Sequence, residues 1–183
     1  MGLIQVPLGS AGKGVFSLGA LHTYQVELEF WFETRAVDSR ALDALLNRHT
    51  VSGAHRPALA SMTLNGMLKG FIDLVFEHEG RYFVLDYKSN YLGAGDAAYT
   101  SEAMQAAILE KRYDLQFVLY LLALHRLLRS RLQDYDYERD VGGAIYFFLR
   151  GYESSTRGVF IEKPPLAVIE ALDSLFCGEE AMA

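Results

Sequence analysis

The sequence predicts an α/β domain in which helices lie on both sides of a central mixed β-sheet, and three features support this class. The first is a β-hairpin, with strands Phe71–Phe76 and Arg81–Tyr87 joined by a short turn. The second is a helix from about residue 112 to 132, where leucines recur at helical spacing. The third is a strongly apolar strand over 143–150. Because strands and helices alternate along the chain, we expect them to share one core.

The other elements are predicted from periodicity, capping residues and breakers. In chain order they are a linker or loop at 1–20, a strand at Tyr24–Phe32, a helix at Ser39–Arg48, a loop at 50–61, a helix that starts near Ala98–Ser101 and runs to about Glu110, an exposed segment at 130–140, a strand at Gly158–Ile161, and a helix from Pro164 or Pro165 to near Phe176.

Composition limits the class of protein. The chain has 183 residues, of which 51% are hydrophobic and 13% aromatic, as expected of one folded domain. No apolar run approaches the ~18–20 residues of a membrane helix. A single cysteine, Cys177, excludes an internal disulfide and a multi-cysteine metal site, and favours a reducing cytoplasm. The net charge of −6 argues against independent, charge-driven DNA binding and favours a domain that works within a larger machine.

Three charged residues stand out in the apolar hairpin: Asp73, Asp86 and Lys88. Asp86 and Lys88 are two apart and point to one face of a regular strand, and hairpin pairing brings Asp73 close to both. Carboxylates are the oxygen ligands that Mg²⁺ prefers, and an ammonium beside the ion can stabilise charge on a phosphodiester. The alternative is an ordinary surface hairpin with an Asp–Lys pair.

The strings G-F-I-D-L-V and L-D-Y-K-S-N resemble the active site of the PD-(D/E)XK nucleases. They are most similar to the RecB branch, the C-terminal nuclease domain of the exodeoxyribonuclease V beta subunit. The similarity continues through a Q-x-x-x-Y helix motif and covers most of the chain from about Gln25 onward. The matching positions are Gly70, Asp73, Asp86, Tyr87, Lys88, Gln116, Tyr120, 134–138 and 142–151.

The resemblance implies a restriction-endonuclease-like core and a Mg²⁺ site, with Mn²⁺ or Ca²⁺ able to substitute in binding. It implies that Asp73, Asp86 and the Tyr87 carbonyl hold the metal, and that Lys88 orients water or stabilises charge. Gln116 and Tyr120 would then contact a nucleic-acid backbone or support Lys88; Arg112 is a further candidate. The implied activity is that of an exodeoxyribonuclease domain, acting in double-strand break repair and recombination on single DNA strands that leave a helicase.

The resemblance also implies partners: RecC-like and RecD-like subunits, and the recombinase RecA. Two alternatives remain open. The chain could be an interaction module that docks a recombinase without chemistry of its own. It could also be a stand-alone resolvase or restriction-type endonuclease built on the same core.

The sequence departs from the RecB branch at one metal ligand. The family's upstream histidine, in a G-x-x-x-H-x-x-x-E setting, has no counterpart, and His22 just before the first long strand is not assigned that role. We therefore expect residues 21–183 to be an N-terminally truncated nuclease domain with weakened metal affinity. The resemblance also implies an acidic residue of the Tyr24–Phe32 strand that faces the metal site, for which Glu27 and Glu29 are both candidates; the alternative is that both are solvated charges on the outer face.

Overall fold

The computed structural model describes residues 5–7, 15–51 and 54–178 of the chain. Its strands are β1 (Gln5–Pro7), β2 (Val15–Ser17), β3 (Tyr24–Asp38), β4 (Thr63–His78), β5 (Arg81–Lys88), β6 (Val141–Phe148) and β7 (Val159–Glu162). Its helices are α1 (Ser39–His49), α2 (Ser101–Glu110), α3 (Tyr113–Arg131), α4 (Tyr137–Asp140) and α5 (Leu166–Cys177). No helix in this part of the chain is long and apolar enough to cross a membrane.

The main sheet has five strands in the order β3-β4-β5-β6-β7, and β1 pairs with β2 apart from it. β5 and β6 run parallel, whereas the other neighbours are antiparallel, so the sheet is mixed. The link from β5 to β6 contains α2, α3 and α4, because parallel neighbours need a crossover connection. The predicted α/β class, a mixed sheet flanked by helices, is confirmed.

The two faces of the sheet are covered differently. All five helices contribute apolar side chains to the larger buried cluster, which includes Val84 and Tyr146 on one face of β5 and β6. The smaller cluster lies on the opposite face and contains Phe83 and Leu85; partly buried Leu18 and Leu21 are among the residues packed against it. The sequence predicted helices on both faces of the sheet. In the described residues, helices α1 to α5 all pack on the same face.

β3 and β4 are longer than predicted and form a long antiparallel ribbon. The predicted strand Phe71–Phe76 begins earlier, at Thr63, because cross-strand pairing with β3 satisfies the backbone of residues 63–70 as well. The hairpin turn, expected from the sequence to comprise His78, Glu79 and Gly80, is one residue shorter. His78 pairs with Arg81, so only Glu79 and Gly80 form the turn, both with positive φ (51° and 76°) as a two-residue hairpin requires.

The predicted exposed segment at 130–140 is partly wrong. It contains α4, capped by the Asp136 side chain, and Tyr137 is buried with its hydroxyl donating to the Pro164 carbonyl at 2.9 Å. The sequence suggested exposure because charged residues surround Tyr137. In the structure, packing against the loop that precedes α5 buries the ring. The segment predicted as linker contains β1, β2 and a single 3₁₀ turn at Leu18–Ala20; its other residues lie outside those described.

Several boundaries agree with the sequence. α1 begins after Asp38, whose side chain accepts the Arg40 backbone N–H as a helix cap. α2 spans Ser101–Glu110 as expected, with Thr100 as its cap. α5 ends at Gly178, which has the left-handed conformation (φ 74°) that often terminates helices.

Candidate active site

β4 and β5 separate at the two predicted catalytic carboxylates. The last paired residues are Leu74 and Leu85, so Asp73 and Asp86 occupy the next position in the register, where no pairing continues. There the Tyr87 backbone N–H donates to the Asp73 side chain, at 2.9 Å from Oδ2. β5 keeps pairing with β6 through Lys88. The two strands therefore form a fork, and the carboxylates lie at its base.

At Asp73, the alternation of β4 side chains between the two faces of the sheet is interrupted. Ile72 packs in the larger buried cluster and Leu74 in the smaller one, although residues two apart point to one face of a regular strand. On β3, the position opposite Asp73 is Glu27, which has a positive φ of 50°. The ribbon is thus irregular at this point, and Asp73 is directed along the sheet towards β5.

Asp86 and Lys88 are both buried, at 6% and 7% exposure, and their Oδ2 and Nζ atoms lie 2.6 Å apart. α3 adds Gln116 and Tyr120. Lys88 Nζ donates to Gln116 Oε1 at 2.6 Å. Gln116 Nε2 and the Tyr120 hydroxyl each donate to Asp86 Oδ1 at 3.2 Å. Both carboxylate oxygens of Asp86 therefore have donors within the protein. The Lys88 ammonium is held by Asp86 and by Gln116.

The Gln116–Tyr120 stripe of α3 is directed at the sheet. Of the two roles expected for these residues, contact with a nucleic-acid backbone or support of the lysine, the geometry favours support, since Tyr120 is buried and Gln116 hydrogen-bonds Lys88. Arg112 lies elsewhere, with its guanidinium paired to Asp43 and Asp114 at 2.7 and 3.1 Å. We conclude that Arg112 anchors the start of α3.

Two tyrosines at the site were not found from the sequence. Lys88 Nζ lies 3.7 Å from the ring centre of Tyr113 and 4.5 Å from that of Tyr146. Tyr146 is the register partner of Asp86 on β6, and Tyr113 is the first residue of α3. In the sequence both resemble ordinary core aromatics. The parallel pairing of β5 with β6 reveals Tyr146, and the packing of α3 on the sheet reveals Tyr113.

The glycine of the G-x-x-D string has a packing role. A Cβ added to Gly70 would lie 2.3 Å from the Phe30 ring, so only glycine allows that ring to lie across β4. Phe30 in turn packs edge-on against Tyr120, with ring centres 5.8 Å apart. Gly70 therefore helps to hold the tyrosine that hydrogen-bonds Asp86.

Burial dominates the electrostatics of the site. It raises the pKa of Asp86; the Lys88 ammonium opposes this, and the nearby Asp73 carboxylate adds to it. Burial likewise raises the pKa of Tyr120 and of Tyr146, so both hydroxyls stay protonated hydrogen-bond donors at neutral pH. The repulsion between Asp73 and Asp86 identifies the position where a cation would be stabilised.

The other residues considered as metal ligands lie in different places in the fold. Glu29 forms an ion pair with Lys69, whereas Glu27 lies across the ribbon from Asp73. His22 is exposed in a bend before β3. Within the described ranges, no three His, Cys, Asp or Glu side chains cluster closely enough to hold a metal ion. Of the two glutamates, the geometry favours Glu27 as the neighbour of the site.

Comparison with known proteins agrees with this geometry. Residues 20–175 match the family model of the PD-(D/E)XK nuclease superfamily. The chain belongs to this superfamily. It is therefore a nuclease domain by family, and the predicted resemblance is confirmed.

Curated relatives of this PD-(D/E)XK domain include RecBCD enzyme subunit RecB of Escherichia coli K12, 47% identical over 96% of this chain and 15% of that protein. The RecB subunit of Haemophilus influenzae is 44% identical over 70% of the chain and 11% of its own length. That of Mycobacterium tuberculosis H37Rv is 41% identical over 64% and 12%. The chain thus spans about one seventh or less of these relatives.

PD-(D/E)XK nucleases generally depend on divalent metal ions, and the residues at the fork fit such an ion. Hard divalent cations prefer oxygen ligands and tolerate several bound waters. The negative charge of Asp73 helps to raise the pKa of Asp86, and a divalent cation would relieve this unfavourable proximity of two carboxylates. The donor set, two carboxylates beside a backbone strand end, is the chemistry such an ion uses.

Proposed function

We propose that this chain is a Mg²⁺-dependent deoxyribonuclease domain that hydrolyses phosphodiester bonds in single DNA strands. The observation that carries the proposal is the convergence of Asp73, Asp86 and Lys88 where β4 and β5 separate. Asp86 and Lys88 are both buried, so they do not form an ordinary surface ion pair. Two carboxylates and an ammonium held in this arrangement suit hydrolysis of a phosphodiester.

Asp73, Asp86 and the Tyr87 carbonyl would hold the ion, with Glu27 as a further candidate. A bound divalent ion supplies charge neutralisation at the phosphate and lowers the pKa of a water molecule. Asp73 is anchored by the Tyr87 N–H, and Asp86 by Gln116 and Tyr120. These hydrogen bonds keep the carboxylates oriented, so little reorganisation is needed when the site is loaded.

Lys88 would stabilise the negative charge that develops on the phosphate or orient the attacking water. Gln116 would hold the ammonium through its side-chain oxygen while its nitrogen holds Asp86. One amide thus fixes the spacing of both groups. Tyr120 stays neutral because burial raises its pKa, and it supports Asp86 as a donor.

The larger context follows from the relatives. RecB is named as a subunit of the RecBCD enzyme, so we propose that this domain works beside RecC-like and RecD-like subunits in the cytoplasm, in double-strand break repair and recombination. A helicase would supply the single strand, which is consistent with the chain's net charge of −6. The domain limits 21–183 stay a prediction.

A second candidate function is docking of the recombinase RecA. The observation that favours it is an exposed apolar patch on the outer face of the β3–β4 ribbon, formed by Trp31, Met67 and Phe71, each at least half exposed. If docking is the function, Phe71→Ser should weaken recombinase binding and leave cleavage unchanged. Loss of neither activity in that variant would exclude this patch as the docking surface.

Cleavage of labelled single-stranded DNA with Mg²⁺ or Mn²⁺ tests the nuclease proposal. Lys88→Met should lower the rate by about 10²–10³. Lys69→Met, an exposed lysine paired with Glu29, is the matched control and should cut like the starting protein. Cleavage that is absent, or that survives unchanged in Lys88→Met, would overturn the proposal.

Calorimetric titration of Mg²⁺ and Mn²⁺ tests the metal site without requiring turnover. Binding should disappear in Asp86→Ala and persist in Glu110→Ala, since Glu110 is exposed at the end of α2. Binding that is equal in both variants would place the metal away from the fork.

A further inference from the structure

We infer that Tyr113 and Tyr146 form an aromatic clamp that positions the Lys88 ammonium for catalysis. This inference rests on the proposed nuclease function and deepens it. Neither tyrosine needs to touch DNA or metal; each acts through the lysine and is therefore a positioning residue.

The ammonium lies against two ring faces and two oxygen atoms. The ring centres of Tyr113 and Tyr146 are 3.7 and 4.5 Å from Nζ, and the rings are 5.7 Å apart and inclined at 53°. Asp86 Oδ2 and Gln116 Oε1 each lie 2.6 Å from the same nitrogen. The four groups come from α3, β5 and β6, so the lysine is surrounded by three separate elements.

Aromatic faces suit this position for an electrostatic reason. A ring attracts a cation through its quadrupole but carries no formal charge, so it holds the ammonium without neutralising it. A second carboxylate would hold it more strongly, but would also offer oxygen ligands to a hard divalent cation. With two rings and a single carboxylate against its ammonium, Lys88 is kept in place, and among the described residues Asp86 is the only acid with which it forms an ion pair.

The two tyrosines contribute differently. The Tyr146 hydroxyl donates to the Tyr113 carbonyl at 2.6 Å and lies 3.1 Å from Gln116 Oε1, so it ties β6 to the first turn of α3. Tyr146 is 2% exposed, whereas Tyr113 is only half-buried. Tyr113 therefore offers the more tolerant position for substitution, and its ring face is nearest to the ammonium.

The test compares Tyr113→Leu, which removes the ring, with Tyr113→Phe, which keeps it. In metal-free protein, NMR signals of the Lys88 methylene next to Nζ, assigned from their loss in Lys88→Met, should be shifted upfield by the two rings. We expect the leucine variant to lose most of that shift and about tenfold in kcat, with KM within about twofold. The phenylalanine variant should retain both the shift and kcat.

Tyr146→Phe separates the ring from the hydroxyl, and it should keep the Lys88 shift. An unshifted Lys88 methylene in the starting protein overturns the clamp, whether or not any leucine variant folds. A shift that keeps its full size in Tyr113→Leu, or an unchanged kcat in that variant, also overturns it. If the starting protein cuts no DNA, the shift still decides whether the clamp exists, so failure of the nuclease proposal is distinguished from failure of this one.

Discussion

Asp73 Oδ2 accepts the backbone N–H of Tyr87 at 2.9 Å, just beyond Leu74 and Leu85, the last residue pair of β4 and β5. Here a side chain accepts a hydrogen bond at the point where backbone pairing between the two strands ends. The same carboxylate is a proposed metal ligand, so one residue both closes the end of the ladder and supplies charge to the site. These two roles can be separated by substitution.

Asp73→Asn keeps an oxygen acceptor for the Tyr87 N–H and removes the negative charge. We expect its free energy of unfolding to stay close to that of the starting protein, while its Mg²⁺ affinity falls at least tenfold. Asp73→Ala removes both features and should lose about 1 kcal/mol of stability as well. Urea unfolding and metal calorimetry measure the two effects. Equal stability of the alanine and asparagine variants would show that the hydrogen bond contributes nothing.

Gly70→Ala should destabilise the protein by about 1–3 kcal/mol, because the new Cβ would lie 2.3 Å from the Phe30 ring. Displacing Phe30 should also disturb Tyr120, against which it packs. Phe30→Leu frees space, so the double variant should be more stable than the sum of the single effects predicts. Additive effects in urea unfolding would contradict a direct contact as the cause.

Arg56→Met should cost about 3 kcal/mol of stability. Arg56 and Asp114 form a buried ion pair at 2.8 Å, with side-chain exposures of 2% and 0%, so the substitution leaves a buried carboxylate with Arg112 as its remaining partner. Arg40→Met is the matched control, since its pair with Asp38 is exposed and should contribute little. A large loss in Arg40→Met, or none in Arg56→Met, would refute this ranking.

Stability should fall as the pH drops below about 6.5, the ordinary pKa of histidine, because burial lowers the pKa of His125 in the folded state. The unfolded chain then binds a proton that the folded chain does not, and acid favours unfolding. Its Nδ1 hydrogen-bonds the Tyr135 hydroxyl at 2.9 Å, and Nε2 is buried without a partner among the described residues. The charged groups that influence it are Arg126, Arg129, Glu170 and Asp173.

His125→Gln removes this titration, so its loss of stability between pH 7.5 and 5.5, measured by urea unfolding, should be smaller than that of the starting protein. His49→Gln, an exposed position, is the control and should retain the full pH dependence. An identical pH dependence in all three proteins would rule out His125 as the cause.

The hairpin and its charged residues were predictable because they are local. Asp73, Asp86 and Lys88 were placed together from strand periodicity and a short turn, and the structure brings them together. Family resemblance identified Gln116 and Tyr120 on one face of a helix, but the sequence did not decide whether that face points to the sheet or to solvent. Only the packing of α3 on the sheet shows that the stripe supports Asp86 and Lys88.

The errors have a common origin in long-range pairing. β4 was predicted too short: the strand expected from Phe71 begins at Thr63, because pairing with β3 carries it through Gly66 and Gly70. Tyr137 was predicted exposed because its neighbours are charged, and its burial depends on the Pro164 carbonyl far along the chain. Neither contact leaves a periodic signal near the residue concerned.

Local features of the sequence were enough to predict the α/β class, the order of most elements and the nuclease family, and to propose the two carboxylates and their lysine as site residues. These depend on local spacing, capping and short strings of residues, which a linear chain displays directly. Three features appear only in the folded chain: the fork between β4 and β5, the position of Glu27 opposite Asp73 on β3, and the aromatic surroundings of Lys88. These features arise where segments distant in sequence pack together, and packing geometry is a property of the folded chain.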